Sequence, residues 1–213
     1  MYLKDSQTSV WNWIGAAGLA AMLVACATTP SDLDISRQAA DVLKASFKAN
    51  GQAGLDRLEQ DDTQRLCTLY ANKPLPKDVA EMIEKLNMAS IKWPADGKWM
   101  GDWKNGERVA QEGRGKQFSD DPKGPVGANC YACHQLSPQE LSFGTIGPSL
   151  LNFGKLRGYN DETRKRAYGK IWNADAYSAC SNMPRFGHSQ ILSEQQVKDL
   201  VALLTDPASP VNQ

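Results

Sequence analysis

The sequence is poor in histidine and cysteine and carries no excess charge. Its 213 residues include 2 histidines and 5 cysteines, and 24 basic residues balance 24 acidic ones. A net charge of zero argues against nucleic acid as a partner and against broad electrostatic binding to a membrane surface. A chain of this length folds as one or two domains.

The sequence also lacks an apolar run at its N-terminus that is long enough to cross a bilayer. Ile14–Ala25 falls short of the roughly 20 residues that a spanning helix needs. The run follows Lys4 and predicts an export signal over residues 1–26. It ends in Leu-Val-Ala-Cys, which resembles a bacterial lipobox with Cys26 as the lipidation site. Ordinary cleavage after Ala27 and a stop-transfer helix remain as alternatives, and each of the three places the rest of the chain outside the cytoplasm.

The scarce cysteine and histidine residues are concentrated in one motif. GANCYACHQL holds Cys130, Cys133 and His134 as C-x-x-C-H, which is a haem c attachment signature. This spacing lets two cysteines form thioethers on one side of a helical turn while the adjoining histidine binds iron. A zinc site would need a fourth ligand, and no second C-x-x-C exists. A thioredoxin-like dithiol would need a βαβ context and leaves His134 without a role. We therefore expect one covalent haem c in the periplasm.

Strand-like alternation is absent, whereas helical spacing of apolar residues recurs. A polar tether is expected over residues 28–34, and Ser193 with Gln196 fits a capping box at the start of the last helix. We predict an all-α fold, in which a tether and N-terminal helical extension over 27–97 precede a class I cytochrome c domain over 98–213. The expected helices cover 35–49, 61–70, 79–88, 101–113, 161–172 and 193–204.

The second axial position of the iron has two candidate ligands in the stretch NMPRFGH. Met183 precedes a proline, which favours an extended segment that can direct a thioether at the iron. We predict Met183 as the ligand, with His188 or an open site as the alternatives. Methionine ligation raises the reduction potential and would make the haem an electron acceptor.

Two further residues are expected to support the haem. A metal-bound histidine normally donates its other N–H to a carbonyl, and in class I cytochromes a proline after the motif supplies it. Pro148 is placed for that role, although a plain turn proline is the alternative. Arg185 is the first candidate to pair with a haem propionate, since guanidinium matches carboxylate geometry.

Two cysteines remain once the export signal and the haem motif are assigned. Cys67 and Cys180 form an even pair in an oxidising compartment, so we predict a disulfide between them. Two separate buried thiols are the alternative.

Five stretches of the sequence together resemble SoxX, the monohaem subunit of the SoxAX cytochromes of bacterial thiosulfate oxidation. C-x-x-C-H alone is general among c-type cytochromes, but its combination with NMPRFGH and an upstream cysteine-bearing helix is much more specific. The stretches are LEQDDTQRLCTLYANKPLP, GKWMGDWKNGERVAQEGRG, NCYACHQL, GTIGPSL and CSNMPRFGHSQILSEQQVKDLVALLTDP.

The resemblance implies a heterodimer with a SoxA-type cytochrome subunit, which holds the catalytic haem. That complex joins thiosulfate oxidatively to a cysteine of a SoxYZ-type sulfur carrier. The SoxX subunit takes electrons through axial His and Met, roles that carry onto His134 and Met183, and passes them to a downstream acceptor. This chain would be the electron-accepting subunit of an L-cysteine S-thiosulfotransferase and would have no catalytic residue of its own. The lipobox is a departure from the ordinary secretory signal of many members.

Two other functions remain open at the level of sequence. A free-standing periplasmic electron carrier would leave the N-terminal helices without a role. A haem enzyme or gas sensor would need an open sixth site, and therefore a Met183 that does not bind iron.

Overall fold

The computed structural model describes residues 31–213, so the export signal and Cys26 lie outside the described residues. The protein divides into two compact units, the first ending at Phe47 and the second covering Lys48–Gln213. Across the described residues the only β-type pairing is an isolated bridge between Asn50 and Ala53, so the all-α prediction is confirmed. The helices are α1 (Asp32–Ser46), α2 (Asp62–Leu69), α3 (Lys77–Ala89), α4 (Trp103–Gln111), α5 (Phe153–Arg157), α6 (Asp161–Trp172) and α7 (Glu194–Thr205).

Helix α1 begins three residues before the sequence pattern predicted. Ser31 caps it by accepting the amide of Asp34, whose carboxylate in turn accepts from Ser31 in a capping box. The tether predicted over residues 28–34 is therefore wrong for its last three residues, because a good N-cap starts the helix earlier. Between residues 31 and 213 no helix is both long enough and apolar enough to cross a membrane.

Helices α2 and α3 begin close to the predicted positions. Asp61 caps α2 by accepting the Gln64 amide at 2.8 Å, and the Gln64 side chain accepts the Asp61 amide in return. Pro76 precedes α3, and a proline is well tolerated there because the first helical amides have no intrahelical partner. The buried face of α3 includes Ile83 and Asn87.

Helices α4 and α7 cross at close range because Gly106 of α4 has no side chain at the crossing point. A methyl group on Gly106 would overlap the backbone carbonyl of Asp199 in α7. The Asp199 carboxylate accepts the Asp102 amide at 2.9 Å and also the side-chain amide of Asn105. Every residue of α7 from Val197 to Thr205 is buried, and Val197, Leu200, Val201 and Leu204 belong to the hydrophobic core.

Helix α6 contributes the aromatic part of the core. Tyr168 is fully buried and stacks on Trp172 with ring centroids 5.6 Å apart. The rings of Trp93 and Trp99 also contact the Tyr168 ring. The helix has the predicted bounds, but its N-cap is Asn160, which accepts the Thr163 amide. Asp161 is the first helical residue.

Candidate haem c site

The C-x-x-C-H motif forms a short 3-10 turn over Cys130–Ala132. Asn129 enters the turn in the left-handed region with φ of 45°, a conformation that asparagine tolerates better than most residues. The amide of His134 then donates to the carbonyl of Cys130 at 2.9 Å. Cys130 and Cys133 are both partly buried, and neither forms a disulfide. The turn thus presents two unpaired thiols and an imidazole within five residues.

A hydrogen bond fixes the imidazole of His134. Its Nδ1 lies 2.7 Å from the carbonyl oxygen of Pro148, and because a carbonyl can only accept, Nδ1 carries the proton. The lone pair is therefore on Nε2, which is the arrangement that a metal-ligating histidine requires. Gly147 allows the approach, since a methyl group at that position would overlap the imidazole ring.

The geometry argues against the two alternatives for this motif. A dithiol redox pair uses a thiolate with a lowered pKa, whereas burial raises the pKa of the Cys130 thiol to about 12. A zinc site needs several converging ligands. Residues 31–213 contain no group of three or more His, Cys, Asp or Glu side chains placed to hold one metal ion.

Met183 and His188, the two candidates for the second axial ligand, differ in their surroundings. Met183 is partly buried and packs against the hydrophobic core. His188 has polar neighbours at both ring nitrogens: Nδ1 is 3.2 Å from the Ser90 hydroxyl and Nε2 is 3.8 Å from the Asp61 carboxylate. Burial and the adjacent Arg185 lower the pKa of His188 below its ordinary value. These surroundings favour Met183 over His188 as the ligand.

Arg185 has different partners from those expected. Its guanidinium, with a side chain only 10% exposed, pairs with Asp61 at 2.7 Å and lies 3.7 Å from Asp175. Pairing of Arg185 with a haem propionate therefore stays a prediction, and in this structure two protein carboxylates already lie beside the guanidinium. Burial alone would raise the pKa of Asp61, but the Gln64 amide and Arg185 outweigh it, and the pKa lies below its ordinary value.

Cys67 and Cys180 form a disulfide in the structure, with Cα atoms 5.4 Å apart. The bond joins helix α2 to the segment that carries Met183, across a sequence separation of 113 residues. Cys180 adopts φ of 58°, in the left-handed region.

The residues around the motif fit a large apolar group. Leu141, Ile146 and Leu156 are 96%, 74% and 79% exposed, an unfavourable state in water unless an apolar surface covers them. A cavity of about 260 Å³ lies beside Pro148 and is walled by Leu150, Phe153 and Leu156 among others. The buried indole N–H of Trp172 has no hydrogen-bond partner in the part of the chain that the structure describes. A porphyrin bound at His134 would cover the apolar wall of the cavity beside Pro148.

Three residues of this region were not identified from the sequence. In the sequence Gly147 is one glycine of a turn, and its contact with the His134 imidazole is known only from the structure. Trp172 was assigned to helix α6 and to no site. Asp61 is the N-cap of helix α2, and no neighbouring residue in the sequence indicates its pairing with Arg185, 124 residues away.

Comparison with known proteins agrees with this site. The family model for cytochrome c matches residues 104–206, a range that contains the C-x-x-C-H motif and Met183. A protein of Aquifex aeolicus (strain VF5), named "Uncharacterized lipoprotein", is 34% identical over 202 residues, covering 91% of this chain and 95% of that protein. A cytochrome c domain of the all-α class I type, a family that binds haem c covalently, therefore occupies residues 104–206, and the chain belongs to one family with the Aquifex lipoprotein over most of its length.

Proposed function

We propose that this protein is the electron-accepting haem c subunit of a SoxAX-type complex. In this function Cys130 and Cys133 would hold the porphyrin through thioethers, and His134 and Met183 would bind its iron. The observation that supports the proposal best is the 2.7 Å hydrogen bond from His134 Nδ1 to the Pro148 carbonyl. It orients the ring and leaves Nε2 free to act as a ligand.

The arrangement suits electron transfer better than catalysis by this chain alone. With His134 and Met183 on the iron, no coordination position is open to a substrate. Haem c, when bound, supplies a carrier for one electron at a time. Tyr131 and Leu136 are buried beside the motif, so they cover part of it. The chain's own residues would therefore bind and orient the group.

The reaction assigned to the complex requires other components. Forming a sulfur–sulfur bond between a carrier cysteine and thiosulfate releases one proton and two electrons. This chain takes one of those electrons at a time, so the complex either uses a second redox centre on the SoxA-type subunit or passes the electrons onward one at a time. The SoxYZ-type carrier supplies the thiol, and a downstream acceptor removes the electrons.

The proposed location is the periplasm, with a lipid anchor on Cys26. The name of the Aquifex relative includes the word lipoprotein, and the Leu-Val-Ala-Cys sequence fits that modification. An anchor would keep the chain at a membrane surface without a spanning helix.

Reconstitution with purified components tests the proposed function. The purified protein is mixed with a SoxA-type partner, a SoxYZ-type carrier thiol and thiosulfate, and reduction of the haem is followed by its absorbance. We expect reduction only when all components are present, because the filled coordination sphere prevents direct reaction with thiosulfate.

The alternatives give different results in the same assay. Rapid reduction by thiosulfate without a partner would contradict the proposal and favour a haem enzyme. In a separate purification, tight association with a different redox protein and none with a SoxA-type partner would also contradict the proposal and favour a free-standing carrier.

A further inference from the structure

A network of polar side chains surrounds the segment that carries Met183, and no part of the proposed electron transfer requires it. We call residues 180–188 the methionine loop. Arg185 of this loop donates to the Asp61 carboxylate at 2.7 Å and lies 3.7 Å from Asp175. The side chains of Arg185 and Asp175 are only 10% and 8% exposed, so their ion pair lies largely out of water, whereas the Asp61 side chain is 41% exposed.

Backbone groups at the start of the methionine loop are also held. The Ser181 amide donates to Asp175 at 2.8 Å, so one carboxylate serves both this amide and the Arg185 guanidinium. The Met183 amide in turn donates to the Ser181 hydroxyl at 3.2 Å. The ligand residue is thus two hydrogen bonds away from a buried carboxylate.

Buried amides extend the network from the loop into helix α3. Asn173 donates to the Asn87 side-chain carbonyl and to the Ser90 hydroxyl, each at 2.9 Å. Ser90 lies 3.2 Å from His188 at the other end of the loop. Asn87 and Asn173 are 2% and 0% exposed, so both amides depend on these partners.

Burying such a network adds little stability by itself. A buried ion pair is often no better than apolar packing of the same volume, although removing one partner is strongly destabilising. What the network does is define one conformation of the loop, since each member is satisfied only when Arg185 and His188 lie where they do. An irregular segment that presents an axial ligand needs that definition, because no helix or sheet supplies it.

We propose that Asp61 and Arg185 are positioning residues that hold the methionine loop so that Met183 stays on the iron. The proposal rests on Met183 ligation in the proposed function. Neither residue touches the iron. They act through the backbone of residues 183–185, and helix α2, which begins beside Asp61, is the fixed support.

The chain offers a variant and a closely matched control. Asp61→Asn removes the charge that faces Arg185 and keeps the N-cap of α2, because asparagine caps as well as aspartate. Asp62→Asn removes an adjacent charge whose ion pair with Arg65 is two-thirds exposed on both sides. Arg185→Lys retains a cation between the two carboxylates and loses the planar guanidinium.

Imidazole titration of the oxidised proteins measures how firmly the thioether is held. Imidazole competes for the sixth position, and its binding removes the weak sulfur-to-iron charge-transfer band. We expect Asp61→Asn to bind imidazole about tenfold more tightly than the wild type, with Arg185→Lys intermediate, since the loop leaves the iron more readily. Asp62→Asn should stay within about twofold. The reduction potential should fall in Asp61→Asn and not in Asp62→Asn.

The outcomes distinguish a failure of the positioning role from a failure of Met183 ligation in the proposed function. Equal imidazole affinity in Asp61→Asn and Asp62→Asn, with the band intact in both, would overturn the positioning role and leave Met183 ligation standing. Absence of the band in the wild type would overturn Met183 ligation and the positioning role together.

Discussion

The two proposed iron ligands, His134 and Met183, are held in place by different kinds of interaction. On the side of His134, the histidine is adjacent to the cysteines that bond to the porphyrin, and one hydrogen bond to Pro148 orients its ring. On the side of Met183, a disulfide, two ion pairs and several buried amides converge on the methionine loop.

The difference follows from how each ligand is attached. In the proposed function, thioethers at Cys130 and Cys133 would hold His134 near the iron, so little further support would be needed. Met183 would have no covalent bond to the porphyrin, and its position would depend on its loop. Protein contacts must therefore limit its freedom, and helices α2 and α3 of the N-terminal region supply them.

The largest effect is expected from removing the covalent link on the methionine side. Replacing Cys67 and Cys180 together by alanine frees a loop of more than 100 residues in the unfolded chain, given the separation of 113 residues. The chain-entropy model puts the loss at about 5 kcal/mol in the free energy of unfolding. Urea denaturation followed by circular dichroism measures it. Free-thiol labelling of both cysteines in the native, oxidised wild type would show that the bond is absent.

A smaller effect is expected on the histidine side from Gly147→Ala. The added methyl group overlaps the imidazole of His134, so the ring or the loop must shift, at a cost of about 1–3 kcal/mol in the free energy of unfolding. Gly113→Ala is the control, because its methyl group would meet only the Asn129 side chain. Urea denaturation compares the two variants. An equal loss in both would show that contact with the imidazole is not the reason for the glycine.

Local sequence patterns predicted most helices and the residues of the motif. Capping signals at Asp61 and Ser193 and the apolar spacing of α7 depend on neighbours within four residues, and the structure has them at those positions. Arg185 shows the limit of prediction from residues that are close in the sequence. Its charge suggested a propionate, but its partner Asp61 lies 124 residues away, and only the folded chain brings the two together.

Ligation by Met183 is the central claim, and the charge-transfer band of the oxidised protein tests it most directly. The wild type and the His188→Ala variant should both show the weak sulfur-to-iron band at the red end of the spectrum. Met183→Ala should lose the band and have a lower reduction potential. Retention of the wild-type ligand field in Met183→Ala together with its loss in His188→Ala would contradict the account and make His188 the ligand.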